Sequence, residues 1–193
     1  MIIRKLFKFE NAHIVRDCST VRCSTSIHGH SYKVEVLLES NYLDNGQMIY
    51  DFGLMKGNLK DLIDSFDHAI TIWDKDDKDY IQEMKNHSNR WVELPVSPSA
   101  EQFSRVFFLM IDRLLNLTKT LNREKKVQLY SIIVHETATG YAQCFQVDAY
   151  SKLMGEILLE DIKFSPTVVS EWRDNLLWDK LLMNQVFVNP MVV

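Results

Sequence analysis

The most constraining stretch of this sequence is an alternating run that opens with two histidines. Over residues 28–39, apolar side chains recur at every second position, which is the period of a half-buried β-strand. Because side chains two apart on a strand share a face, His28 and His30 both point toward the apolar side. Two adjacent imidazoles suit zinc, and a catalytic zinc ion usually has three protein ligands and one open position. The run therefore predicts a strand that carries two metal ligands.

A second alternating segment offers the third ligand. Residues 2–12 predict a strand in which the parity of Phe7 and Phe9 continues to His13. The polar segment 14–27 is expected to be a loop, so the two strands would pair as an antiparallel hairpin with their loop-proximal ends together. In such a hairpin His13 meets the two histidines of the second strand. The alternative is that all three are core or loop residues that bind no ion.

The later pattern indicates two helices followed by two more strands. Apolar residues over 59–66 recur at helical spacing and predict an amphipathic helix that ends near 67–68. A second, longer helix is expected to end at about residue 119. Segments 127–136 and 141–147 alternate around a turn, as in a β-hairpin. The order strand, strand, helix, helix, strand, strand predicts an α+β fold with two helices on one face of an antiparallel sheet.

Two further segments interrupt or extend this order. Residues 69–98 are expected to form an insertion within a domain spanning 1–154, irregular or partly helical over 80–93. Residues 155–193 are expected to form a C-terminal extension that contains a helix around 171–182. Packing or an interface is the role expected for this extension.

Composition limits the class of protein. The chain has 193 residues, of which 46% are hydrophobic and 25% charged, enough core material for a globular domain. A formal net charge of −4 without a clustered basic face does not favour nucleic-acid binding. No run approaches the roughly 20 apolar residues of a membrane span, and the first residues lack the apolar core of a signal peptide. Three cysteines, an odd number, do not suggest a disulfide framework, so a soluble, cytoplasmic protein is predicted.

Three further groups could carry chemistry. Cys23 precedes the second strand, where its thiol would be inert, a fourth ligand of a closed structural zinc site, or a thiolate base. Asp67 and His68 form an acid–base pair if the carboxylate orients the imidazole, or simply a helix C-terminus with a favourable histidine. Glu136 ends a strand, where it could accept two parallel hydrogen bonds from an amidine-like edge or remain a solvated residue.

Taken together, these residues resemble the 6-pyruvoyltetrahydropterin synthase family, which includes the 6-carboxytetrahydropterin synthases of queuosine biosynthesis. The resemblance covers most of residues 1–148 and rests on six segments in the family's order. These are Phe9-Glu10-Asn11-Ala12-His13, Cys23 with His28-Gly29-His30-Ser31-Tyr32, Met48-Ile49-Tyr50-Asp51-Phe52 with Lys56, Phe66-Asp67-His68, Ser99-Ala100-Glu101 and Glu136-Thr137. Asn11 stands where the family usually has alanine.

The resemblance implies a T-fold (tunnelling fold) of ββααββ order and a zinc-dependent lyase. The residues it implies are His13, His28 and His30 for Zn²⁺, Cys23, Asp67 and His68 for proton transfer, and Glu136 with Thr137 for the pterin ring. The implied substrate is 7,8-dihydroneopterin triphosphate. The implied assembly is a homo-oligomer of trimers that stack into hexamers, with active sites at subunit contacts.

The family has a 6-carboxy and a 6-pyruvoyl branch, which form different products. The 6-carboxy branch, whose products are 6-carboxytetrahydropterin, acetaldehyde and triphosphate, is favoured because clear markers of the 6-pyruvoyl branch are lacking. The spacing between Cys23 and His28 matches neither branch. The alternatives are a 6-pyruvoyltetrahydropterin synthase, which eliminates triphosphate, and a non-catalytic zinc-binding protein on the same fold.

Overall fold

The structure, a computed structural model, describes residues 1–191. Its strands are β1 (Ile2–His13), β2 (His28–Glu39), β3 (Ala69–Trp73), β4 (Trp91–Leu94), β5 (Thr118–Lys119), β6 (Gln128–His135), β7 (Tyr141–Cys144), β8 (Lys163–Phe164) and β9 (Phe187–Val188). Its α-helices are α1 (Val21–Thr25), α2 (Asn58–Asp64), α3 (Lys78–His87), α4 (Ala100–Asn116), α5 (Gln146–Ala149), α6 (Pro166–Glu171) and α7 (Leu177–Leu182). Within this part of the chain, no helix is both long and apolar enough to span a membrane.

The β1–β2 hairpin forms as the alternation predicts. The two strands pair antiparallel over their whole length, from Ile2 opposite Glu39 to His13 opposite His28. Phe9 and its partner Tyr32 are both buried and stack with ring centres 4.9 Å apart. One face of the hairpin is therefore core, and a slip of one residue would expose this whole apolar set.

Helix α4 covers the buried face of the sheet. It begins after Ser99, whose hydroxyl accepts a hydrogen bond from the Gln102 N–H, and so satisfies one of the unpaired donors of the first turn. Its apolar side presents Phe103 and Phe107, which pack against Phe9. These rings belong to one buried cluster that also includes residues of α2, β2 and β6.

The predicted fold class is confirmed. β1, β2, α2, α4, β6 and β7 follow one another in ββααββ order, and the neighbouring strands β7-β6-β2-β1 are antiparallel. The expected end of α2 near 67–68 is wrong by about a turn, because the helix stops at Asp64 and the chain turns toward β3. His68 has a φ of 52°, a left-handed conformation that ends helical geometry.

The segment 69–98 is partly helical, as α3, and its strands β3 and β4 also enlarge the sheet. β3 runs parallel to the end of β1 and β4 runs parallel to β3, so the complete seven-stranded sheet is mixed and not purely antiparallel. Asn11 makes this junction possible, because its buried amide donates to the carbonyls of Phe66 and Ala69. Its side-chain oxygen accepts a bond from the Thr71 hydroxyl.

The single helix expected over 171–182 is wrong. Two short helices, α6 and α7, flank an extended residue, Trp172, whose indole N–H donates to the Ser65 hydroxyl at 2.8 Å. The backbone N–H of Arg173 donates to the Asp61 carboxylate, which holds the chain out of helical geometry. The extension also adds β8 to the edge of β4 and pairs β9 with β5.

Candidate functional site

Three histidines converge at the loop end of the β1–β2 hairpin. His13 lies directly opposite His28, and His30 lies two residues further along β2 on the same face. Their ring centres are 4.6, 5.4 and 5.2 Å apart, and one nitrogen from each ring lies within 4.8 Å of the others. Because a metal ion needs its ligand atoms this close together, the three predicted ligands form a candidate metal centre.

Backbone carbonyls orient two of these rings. Nδ1 of His13 donates to the carbonyl of Pro98 at 2.5 Å, and Nδ1 of His28 donates to that of Ser26 at 3.0 Å. With Nδ1 protonated, Nε2 of each ring keeps its lone pair for a metal, which is the usual outer shell of a metal-binding histidine. Burial lowers the pKa of His13 to about 4; the Pro98 carbonyl opposes this shift and the neighbouring His28 adds to it. His13 is therefore neutral at pH 7, as a ligand must be.

Gly29, between the two histidines of β2, allows the strands to approach closely. A Cβ at this position would lie 3.0 Å from the carbonyl oxygen of Asn11 on β1. A larger residue would push the strands apart at the point where the histidines meet. The glycine thus supports the geometry of the cluster.

Glu136, just beyond β6, brings a carboxylate to the edge of the cluster. Its Oε1 lies 3.8 Å from Nε2 of both His13 and His30, and it accepts a hydrogen bond from the Tyr32 hydroxyl at 3.2 Å. Burial and the charge of Glu136 raise the pKa of Tyr32, so the hydroxyl stays protonated and donates. The sequence interpretation gave Tyr32 no role, although it shares the parity of the β2 histidines and could have been noticed for that reason.

Thr137 lies in the turn that follows. Its hydroxyl accepts hydrogen bonds from the backbone N–H groups of Thr139 and Gly140. This oxygen is therefore engaged within the β6–β7 turn and fixes the backbone next to Glu136. The side chain itself is exposed.

Cys23 lies on α1, a short helix within the expected loop between β1 and β2. Its carbonyl accepts a hydrogen bond from Val15, two residues beyond His13. The neighbouring Arg16 reaches from the same loop to Asp76 at 2.9 Å and ties it to the segment 69–98. In the described part of the chain, the group of ligand atoms that lie close enough to share a metal consists of the three histidines and does not include Cys23.

Asp67 and His68 face each other, although they are adjacent in sequence. Nδ1 of His68 donates to Asp67 Oδ2 at 2.9 Å, while Asp67 Oδ1 accepts a bond from the Glu10 N–H. Adjacent residues on a helix could not meet in this way, and the left-handed turn at His68 is what permits it. The pair is referred to below as the dyad.

The dyad opens to the other side of the hairpin from the core. His68 borders a cavity lined in part by Glu10, Ala12 and Ser31, which belong to the alternate set of β1 and β2 residues that points away from the buried Phe9. The lining of this cavity also includes His30 of the histidine cluster. His13, in contrast, is fully buried on the core side. Within one chain, the dyad and the buried His13 therefore lie on different faces of the hairpin, while His30 borders the cavity that His68 also lines.

A four-stranded antiparallel core with two helices on one face and a three-histidine centre at a hairpin end define a T-fold protein with a candidate metal site. The family model described as 6-pyruvoyl tetrahydropterin synthase matches residues 2–146, and the chain belongs to that family. The resemblance predicted from the sequence is thereby confirmed.

Similar proteins extend this result. A Helicobacter pylori (strain J99) protein named 6-carboxy-5,6,7,8-tetrahydropterin synthase is 37% identical over 186 residues, which cover 96% of this chain and 93% of the relative. An Aquifex aeolicus protein of the same name is 29% identical and covers 73% of this chain and 95% of the relative.

Two solved structures show the same fold. An uncharacterized Wolinella succinogenes protein matches with a TM-score of 0.58 and 18% identity, over 76% of this chain and 98% of the other. The 6-pyruvoyltetrahydropterin synthase of Plasmodium vivax matches with a TM-score of 0.54 and 16% identity, over 75% and 97%.

Proposed function

We propose that this chain is a 6-carboxy-5,6,7,8-tetrahydropterin synthase of queuosine biosynthesis. It would convert 7,8-dihydroneopterin triphosphate to 6-carboxytetrahydropterin, acetaldehyde and triphosphate. The observation that carries the proposal is the convergence of three histidines with Glu136 at one hairpin end. It is supported by relatives with this name that align with 96% of the chain.

The metal of the proposed enzyme is Zn²⁺, held by His13, His28 and His30. The donor set fits, because three imidazoles are a ligand set of catalytic zinc, and backbone carbonyls bind the outer nitrogens of His13 and His28, as is usual for metal-binding histidines. When bound there, zinc supplies Lewis-acid polarisation of the substrate's side-chain oxygens.

Glu136 would anchor the pterin ring. A carboxylate can accept two parallel hydrogen bonds from the N–C–NH₂ edge of a pterin, and such charge-assisted pairs are both strong and directional. Tyr32 holds one carboxylate oxygen in place through its hydroxyl. Thr137 would contribute by fixing the turn beside Glu136.

Cys23, Asp67 and His68 would carry the proton chemistry. In this proposal the Cys23 thiolate removes a proton from the substrate side chain, and His68, oriented by Asp67, relays another. The family resemblance implies active sites at subunit contacts, and the buried His13 and the dyad lie on different faces of the hairpin. We therefore infer that two copies of the chain contribute to each site.

A homo-oligomer built from trimers is therefore part of the proposal. Two strand edges support it. In the described chain β7 pairs only with β6, and β1 is paired on its outer edge only at Asn11 and Ala12. Unpaired edges of this kind are available for pairing with a second copy.

A cytoplasmic location is also proposed, in keeping with the three free thiols at Cys18, Cys23 and Cys144.

The test is an incubation of the zinc-loaded protein with 7,8-dihydroneopterin triphosphate, with products read by mass and acetaldehyde trapped. Acetaldehyde together with 6-carboxytetrahydropterin supports the proposal. A 6-pyruvoyl product would keep the residue roles but assign the other branch. Absence of turnover with zinc bound would overturn the enzyme claim and leave a binding protein on this fold. Glu136→Gln is the matched variant of the proposed pterin anchor, because it keeps the size of the side chain and removes its charge.

A further inference from the structure

One arginine from the segment 69–98 grips the turn that carries the dyad. Nε of Arg90 donates to the carbonyl of Asp67 at 2.7 Å, and Nη2 donates to the carbonyl of Asp64 at 2.8 Å. Its Nη1 pairs with the carboxylate of Glu171 in the C-terminal extension. The arginine side chain is only 18% exposed. The guanidinium of Arg90 thus binds one turn and one residue of the extension.

The turn that Arg90 holds contains a left-handed residue. His68 has a φ of 52°, a left-handed conformation that is uncommon for residues other than glycine, and its free-energy cost is offset by the surrounding contacts. The peptide unit between Asp67 and His68 is fixed at both ends. Its carbonyl accepts from Arg90, and its N–H donates to the carbonyl of Glu10 at 2.7 Å. These two hydrogen bonds restrain the peptide in the orientation in which the imidazole meets the Asp67 carboxylate.

The extension in turn holds Arg90. Glu171 is the last residue of α6, a helix whose first turn is capped by Ser165, a buried hydroxyl. Next to it, the buried indole of Trp172 is bonded to Ser65, close to the end of α2. The side chain of Glu171 is 54% exposed, but its carboxylate pairs with the guanidinium from the end of a packed element and not from a free tail.

We propose that Arg90 is a positioning residue for the Asp67–His68 dyad, and that the C-terminal extension serves the reaction by holding Arg90 through Glu171. The inference rests on the proposed function, in which His68 transfers a proton. It gives the segment 69–98 and the extension a shared role: Arg90 of the segment contacts the turn of the dyad, and Glu171 of the extension contacts Arg90.

Substitutions of Arg90 test this directly in the full-length, zinc-loaded protein. Arg90→Met keeps the aliphatic length and removes the hydrogen bonds. In this variant kcat should fall about tenfold or more, while KM stays within about twofold of wild type. The reason is that a small misplacement of a proton-transfer group lowers the rate of the chemical step. Arg90→Lys should restore part of kcat, since an ammonium can still reach one carbonyl. Glu171→Gln should lower kcat less than Arg90→Met does.

Arg173→Met is the matched control. Arg173 lies two residues after Glu171, and its guanidinium binds the carbonyl of Lys56 and lies 3.9 Å from the carboxylate of Asp61. Its loss removes a similar arginine of the extension, so kcat should stay within about twofold of wild type. An equal fall in kcat for Arg173→Met and Arg90→Met would overturn the inference, because it would mean general loosening of the extension.

A second readout does not depend on turnover. The imidazole ¹⁵N chemical shifts of His68 report its hydrogen bond to Asp67, and they should change in Arg90→Met but not in Arg173→Met. If the wild-type protein forms no product, the proposed function fails while these shifts still test the positioning role. Unchanged shifts in Arg90→Met would overturn the inference whatever the activity.

Discussion

At the scale of single residues, His13 links the candidate metal centre to the stability of the fold. It is the fully buried member of the cluster, and burial lowers its pKa from 6.5 to about 4. Below pH 6.5 the unfolded chain binds a proton at this position and the folded chain does not. The stability that neutral His13 contributes is therefore complete above pH 6.5 and is lost as pH falls toward 4.

We expect the free energy of unfolding of the metal-free protein to fall by about 3 kcal/mol across this window on account of His13. Urea unfolding at a series of pH values between 7 and 4 measures it. In His13→Gln, which has no group that titrates in this range, the fall should be smaller by that amount. An identical pH dependence in both proteins would contradict the assignment.

Tyr32 provides a second residue-scale prediction. Tyr32→Phe removes the hydroxyl that orients Glu136 but keeps the ring that stacks on Phe9. Loss of one hydrogen bond of about 1 kcal/mol corresponds to about a fivefold fall in kcat/KM for 7,8-dihydroneopterin triphosphate. Steady-state kinetics measures this, and zinc content should not change. A loss of zinc instead would show that Tyr32 acts on His13, whose ring nitrogens lie 3.4 and 3.5 Å from the hydroxyl.

The sequence pattern predicts the histidine cluster but not the contact between Asp67 and His68. Alternation placed His13, His28 and His30 together, because strand parity and hairpin pairing follow directly from apolar spacing. It could not place His68 against Asp67, because that contact depends on one left-handed residue fixed by distant partners. Such a conformation is uncommon for any residue other than glycine, and residue type alone does not indicate where it occurs.

At the scale of elements, periodicity identified the parts that bury one continuous face. β1 and β2 are long and alternate strictly, and their expected bounds agree with the structure. The short strands β3, β4 and β8 were not predicted, because they have two to five residues and their pairing is decided by tertiary contacts. The helix expected over 171–182 failed for a related reason, since side-chain bonds at Trp172 and Arg173 outweigh local helical preference.

Asn11 is the residue on which the enlarged sheet depends. Its amide satisfies two carbonyls and one hydroxyl in a buried position. Asn11→Ala should therefore destabilise the protein by about 2–3 kcal/mol, because it leaves buried polar groups without partners. Urea unfolding measures the change. Asn45→Ala removes the exposed amide bonded to Asn122 and should cost less than about 0.5 kcal/mol; equal effects of the two variants would contradict this role for Asn11.

At the scale of the whole molecule, the fold separates the groups that the proposed reaction requires. Cys23 lies in the loop that leads to the histidine cluster, whereas His68 borders a cavity on the far side of the hairpin from the buried His13, a cavity that His30 also lines. Closed symmetric assembly is the simplest way for one chain to bring both groups to one substrate, because each copy then offers its own dyad to a neighbour. Full sites would exist only in the oligomer.

Mixing two inactive variants tests this arrangement. Cys23→Ala and His68→Ala should each be inactive alone, for loss of the thiol and of the imidazole. If each site takes Cys23 from one copy and His68 from another, random co-assembly leaves about a quarter of the sites with both groups intact, so that mixed oligomers regain about a quarter of wild-type activity. The two proteins are unfolded together, refolded with zinc and assayed for acetaldehyde, with each variant refolded alone as the control. Activity that stays at the level of the separate variants would mean that both groups act within one chain and would contradict the shared site.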